Sequence, residues 1–177
     1  MRGVVAMAAL AVLLTCGPAL ADHKPLSTGA FEVTQRVILP GTPEQIFDAV
    51  TGDIKAWWDH SVSGDPLKLY IEPKPGGGFW EIFDDSGDGV RHATVTAASR
   101  GKLLRLVGPL GLAGNGIEME HTYEFSTVDE NNTLLRVTVK AHGVMQEGWA
   151  EAVDGVWNHF LHEQLKPYVE SGKHLED

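Results

Sequence analysis

Cysteine is nearly absent: Cys16 is the only one in 177 residues. Beyond the N-terminal segment no disulfide framework can form, so stability has to come from a packed core. Basic charge is also scarce, with 14 Lys and Arg against 24 Asp and Glu and a formal net charge of −10. A surface of that sign repels phosphate backbones and anionic headgroups, which excludes nucleic acid and the membrane surface as favoured partners. The apolar run 3–14 is too short to cross a hydrocarbon layer of about 30 Å, and internal repeats and low-complexity tracts are missing.

Three chemical motifs stop short of completion. The run Asp84-Asp85-Ser86-Gly87-Asp88-Gly89 begins like a calcium loop, but Val95 stands where the bidentate glutamate belongs. Gly76-Gly77-Gly78 lacks the Lys-Ser/Thr of a phosphate loop and precedes a strand pattern, so it reads as a sharp turn or bulge. His159-x-x-His162-Glu163 is not a recognised zinc order, and its helical projection puts both histidines on the polar side. No metal and no cofactor are expected.

Arg2, the apolar run and the small-residue site Ala19-Leu20-Ala21 have the three parts of a secretory signal peptide, with cleavage expected after Ala21. A lipoprotein signal at Cys16 is the alternative, although Thr15 is bulkier than such a site prefers. The expected organisation is a signal peptide over 1–21, a polar leader over 22–29, one domain over 30–172 and a tail over 173–177. Export to a periplasm or the exterior follows, with no stable membrane insertion after cleavage. Loss of Arg2 takes the net charge to −11, and the remaining 156 residues suit a single core.

Hydrophobic periodicity supplies the elements. Residues 31–39 alternate as a half-buried strand, with Phe31, Val33, Val37 and Leu39 on one side. Thr42-Pro43-Glu44-Gln45 opens a helix with a hydroxyl cap, proline at the first helical position and a glutamine three residues after the cap. Ile54, Trp57 and Trp58 suggest a second short helical turn. Six strand patterns follow between 67 and 141, joined by short turn-rich connectors that imply sequential antiparallel hairpins. A final helix over 146–171 carries Trp149, Val153, Val156, Trp157, Phe160, Leu161, Leu165 and Tyr168 on one broad face. The expected fold is α+β: a curved seven-stranded antiparallel sheet, two short helices after the first strand, and a long C-terminal helix in the concave face. A lipocalin-like barrel would not place helices between its first two strands.

Trp57-Trp58, the stretch Pro73-Lys74-Pro75-Gly76-Gly77-Gly78-Phe79-Trp80-Glu81, Gly108-Pro109-Leu110-Gly111 and Gly148-Trp149, taken in this order of elements, resemble the SRPBCC or START-like helix-grip superfamily. The branch they are most similar to is that of the heat-shock-protein-90 ATPase activator homologue C-terminal domain, grouped with polyketide cyclase-like proteins. The resemblance implies an apolar cavity between sheet and long helix. It carries no universal catalytic motif, so it implies a fold rather than a reaction.

The expected function is to bind and carry an apolar or amphipathic small molecule. Expected ligand contacts are Trp58, Phe79, Met119, His121, Tyr123, Trp157, Phe160 and Gln164. Two of these rest on the alternation of 117–125, which puts Ile117, Met119, His121, Tyr123 and Phe125 on one side and leaves His121 and Tyr123 as polar tips in an apolar lumen. Gln164 projects into the helix's apolar sector, and together with Pro167 it suggests that packing loosens at that end and admits the ligand. Leu110 and Leu112 suggest a portal flap. Two other readings stay open: a cyclase- or hydrolase-type enzyme with His121 and Tyr123 as acid/base groups, which requires a titratable partner for His121, and a protein-interaction module. Oligomeric state is not legible.

Overall fold

A computed structural model describes residues 23–176. The expected signal peptide, 1–21, lies outside them. The order is β1 (Thr28–Pro40), α1 (Pro43–Ala49), β2 (Gly52–Asp53), β3 (Lys68–Ile71), β4 (Gly78–Ile82), β5 (Gly89–Ser99), β6 (Leu103–Val107), β7 (Ile117–Asp129), β8 (Asn132–Val144) and a C-terminal helix. That helix has three parts: α2 (Trp149–Asn158), a π-helical stretch (His159–Leu165) and α3 (Lys166–Glu170). Among the described residues, one eight-stranded sheet runs in the order β1-β8-β7-β6-β5-β4-β3-β2, antiparallel throughout.

Two expectations need correction. The sheet has eight strands rather than seven, because the two residues of β2 pair with Tyr70 and Ile71. The second short helix is a single turn, in which the amides of Trp57 and Trp58 both bond to the Ile54 carbonyl. Gly52, at φ +65, stops the chain continuing as a helix, and Asp53 turns it by accepting from the Lys55 amide at 2.9 Å. The first helix start is as read: Thr42 and Gln45 form a reciprocal capping box with proline in the first turn.

The C-terminal helix meets the concave face unevenly. Phe160, Leu161, Leu165 and Val169 are all buried, whereas Val156 is 37% exposed and Trp149 and Val153 are only partly covered. This reverses the expected arrangement. Ala152, Val153 and Val156 of α2 are short and leave a gap beneath them that Trp149 and Trp157 flank, while from Trp157 onward the bulkier residues close on the core. Pro167 does not loosen the end. It follows directly on the π-helical turns within one continuous helix, and Leu165 and Val169 on either side of it are buried.

Candidate functional site

The gap under α2 is a cavity of about 410 Å³. Trp58 joins the aromatic side chains of its wall, stacked on Phe160 at 4.0 Å between ring centroids and edge-on to Phe79 and Trp157 at 5.1 and 6.0 Å. Trp58, Phe79, Met119, Trp157 and Phe160 all lie on the cavity wall. The short side chains of α2 form the roof, and Leu110 and Leu112 close one side. Leu110 holds φ at +47, a left-handed conformation that costs a leucine roughly 1–2 kcal/mol, so the loop holds a strained backbone where its side chain meets the cavity.

The other three expected contacts lie elsewhere. His121 and Tyr123 are fully buried behind the wall, with ring centroids 5.6 and 5.7 Å from Trp157. The His121 Nε2–H donates to the Gly108 carbonyl at 3.1 Å, and its Nδ1 is buried without a partner. Burial drives its pKa down to about 4 against the modest opposing effect of that hydrogen bond, so the ring is neutral at pH 7. Burial likewise pushes the Tyr123 hydroxyl up. The acid/base reading asked for a titratable partner within reach of His121, and the ring's hydrogen bond goes instead to a backbone carbonyl. Gln164 is half-buried with its amide 3.4 Å from the His159 Nε2, outside the cavity wall.

Sequence reasoning missed the polar part of the wall. Glu81 is fully buried and accepts four hydrogen bonds: from the Val62 and Ser63 amides, the Ser63 hydroxyl and the His92 Nε2, at 2.8–2.9 Å. Burial alone would raise its pKa, but those donors outweigh it and hold the carboxyl below the usual glutamate range. An ionised carboxylate only accepts, so Nε2 must carry a proton, and Nδ1 is the nitrogen left for a molecule in the cavity that His92 lines. Glu81 was legible, since it lies two residues from Phe79 on the buried face of β4. His92 was not. A β-bulge pairs Phe79 with Ala93 and Trp80 with Arg91, leaving His92 as the extra residue. Simple alternation from Ala93 and Val95 would have sent it to the convex face, and the bulge turns it inward. Gly108 allows the β6–β7 connection to pack there, because a Cβ on it would lie 2.3 Å from the His92 carbonyl oxygen.

A second polar cluster sits at the cavity rim. His60, itself on the wall, bonds through Nδ1 to Asp59 Oδ1 at 2.7 Å, and His159 Nε2 bonds to Asp59 Oδ2 at 2.7 Å. The His159 Nδ1 meets Glu163 at 2.9 Å. His159 lies on the polar side of the helix, partly exposed, and what the sequence did not show is that the turn holding Asp59 comes up beneath the start of the π-helical stretch and occupies its imidazole. Burial disfavours the ionised Asp59, but hydrogen bonds from His159 and then His60 outweigh it and hold the carboxyl low. Asp59, followed by Glu163, raises the pKa of His159.

Sheet order, helix placement and cavity define a helix-grip fold. Solved structures share it, among them an uncharacterized protein from Rhizobium leguminosarum (TM-score 0.59, 15% identity, covering 82% of this chain and 99% of that one). The Aha1 dimer from Colwellia psychrerythraea is similar at TM-score 0.54 and 23% identity, over 81% of this chain and 98% of that one. DynU16, of the dynemicin biosynthetic locus, aligns at TM-score 0.52 and 18% identity, over 80% of this chain and 48% of that one. No protein-family model and no curated protein matches the sequence. Among the described residues, no helix is long and apolar enough to cross a membrane.

Proposed function

We propose that this chain binds one small amphipathic molecule between its sheet and C-terminal helix, as an exported carrier. The carrying observation is the cavity of about 410 Å³, a volume within the roughly 300–1,000 Å³ of small-molecule sites, whose wall is aromatic and aliphatic except for a few polar groups. His92, oriented by Glu81, supports a ligand with an apolar body and one hydrogen-bonding group. Export rests on the sequence of 1–21 alone.

The test is binding of an environment-sensitive apolar dye, such as a naphthylamine, followed by its fluorescence. Val153→Trp, which fills the cavity from the roof, is expected to weaken binding at least tenfold while leaving the urea midpoint close to wild type. Equal binding by the filled variant would sink the proposal. His92→Phe is expected to spare the dye and to weaken ligands carrying a hydroxyl or carboxyl group, since the site's polar contact is lost.

A further inference from the structure

The Asp59 cluster has the composition of a metal site as well as of an ion-pair network. Two imidazoles and a carboxylate each present one donor atom, and these atoms lie within 4.8 Å of one another. They come from separate places in the chain: Asp59 and His60 from the turn after β2, His159 from the C-terminal helix. The feature that goes beyond ion pairing is the far side of His159. Its Nδ1 faces the Glu163 carboxylate at 2.9 Å, the carboxylate–imidazole–metal relay that fixes the tautomer and raises the basicity of a ligating histidine. Glu163 reaches the ring at the ordinary i,i+4 spacing and the π-helical stretch that begins at His159 brings Gln164 there as well, and such widened turns are frequent at functional sites.

We infer that Asp59, His60 and His159 form a divalent transition-metal site of the zinc class at the rim of the cavity, with Glu163 orienting His159. Two imidazole nitrogens and one carboxylate oxygen are the donors that such borderline ions take. Asp59 accepts from the His60 ring at Oδ1 and from the His159 ring at Oδ2, each at 2.7 Å. Tetrahedral ligands about 2.0–2.1 Å from zinc stand about 3.3 Å apart, so three donor atoms that already lie within 4.8 Å of one another have to rearrange by at most about 1.5 Å. Binding replaces the protons on His60 Nδ1 and His159 Nε2, which leave to solvent. His159 keeps the proton on Nδ1 and donates it to Glu163. The donors are open to solvent, Asp59 and His60 having 41% and 54% of their side-chain surface exposed, so an ion has access. Three protein ligands leave a tetrahedral ion one open position for water or for an oxygen of a molecule in the cavity that His60 lines.

The experiment is calorimetric titration of Zn²⁺ into untagged full-length chain, stripped of metal with a chelator, slightly above neutral pH. One saturable equivalent per chain is expected. His159→Ala should weaken it by more than about 100-fold, and Glu163→Gln, which leaves all three ligands in place, by about 10- to 100-fold. His162→Ala and Cys16→Ser should leave the affinity unchanged, and far-UV circular dichroism should show every variant folded. Glu163→Gln is the arm that a simple surface histidine pair would not respond to. Failure of wild-type protein to bind a saturable equivalent overturns the assignment. So does affinity that survives His159→Ala, or that falls in His162→Ala or Cys16→Ser instead.

Discussion

The two halves of the C-terminal helix meet the same sheet on different terms. From Phe160 onward the helix is sealed by apolar contact, with Leu161 and Leu165 fully buried. Under α2 the side chains of Ala152, Val153 and Val156 are short, and the space beneath them, flanked by Trp149 and Trp157, becomes the cavity. Polar groups brace that end instead: Glu81 ties the Val62–Ser63 backbone and His92 together, and Asp59 links its own turn to the helix through His159. One end is held by packing and is full, whereas the other is held by hydrogen bonds around a void.

The largest expected effect comes from the polar brace. Glu81→Ala leaves the Val62 and Ser63 amides and His92 without their acceptor inside the protein, and a broken buried network of this kind costs roughly 3–5 kcal/mol. Urea unfolding measures it; a loss below about 1 kcal/mol would mean that the cavity end is held by packing after all. Next comes the sealed end, where Leu165→Ala is expected to cost roughly 2–5 kcal/mol through lost burial and a new void. Val156→Ala, on the cavity roof, removes methyls that already face space and is expected to cost under about 1 kcal/mol. Similar losses at both positions would erase the distinction between the halves.

His121, behind Trp157 where the halves meet, gives a subtler test. Its pKa falls from 6.5 to about 4 on burial, so between those values the unfolded chain takes up a proton that the folded chain refuses. Stability therefore falls as pH drops through that window, by roughly 3 kcal/mol in all at 1.36 kcal/mol per unit. Below about pH 4 this contribution no longer changes. Urea midpoints of wild type and His121→Phe across the window should diverge accordingly, and parallel curves would place His121 in contact with water.

The overlap between sequence and structure follows the range of the interactions. The Thr42–Gln45 capping box, the alternation of Phe79 and Glu81, and the apolar face carrying Trp157, Phe160, Leu161 and Leu165 depend on neighbours a few residues apart. A periodicity of two or of 3.6 therefore exposes them. Five of the eight expected contacts lie on the cavity wall: Phe79 and Met119 follow from strand alternation, Trp157 and Phe160 from the helical repeat, and Trp58 from the turn after β2. His121 and Tyr123 share the face of Met119 without reaching the cavity, since alternation tells which side a residue takes but not what stands in front of it. Gln164 was misplaced because the widened π-helical turns shift the helical phase on which its projection relied.

What the sequence determined by itself was thus the long elements, their order and, where the repeat is regular, the face each would bury. Tertiary structure decided the rest. The bulge that turns His92 inward exists only in the pairing of β4 with β5, and β2 exists only because β3 offers it an edge. The contact between Asp59 and His159 spans 100 positions of chain, and no local pattern encodes it. Periodicity records which way a side chain points relative to its own backbone; register and packing determine what it meets there.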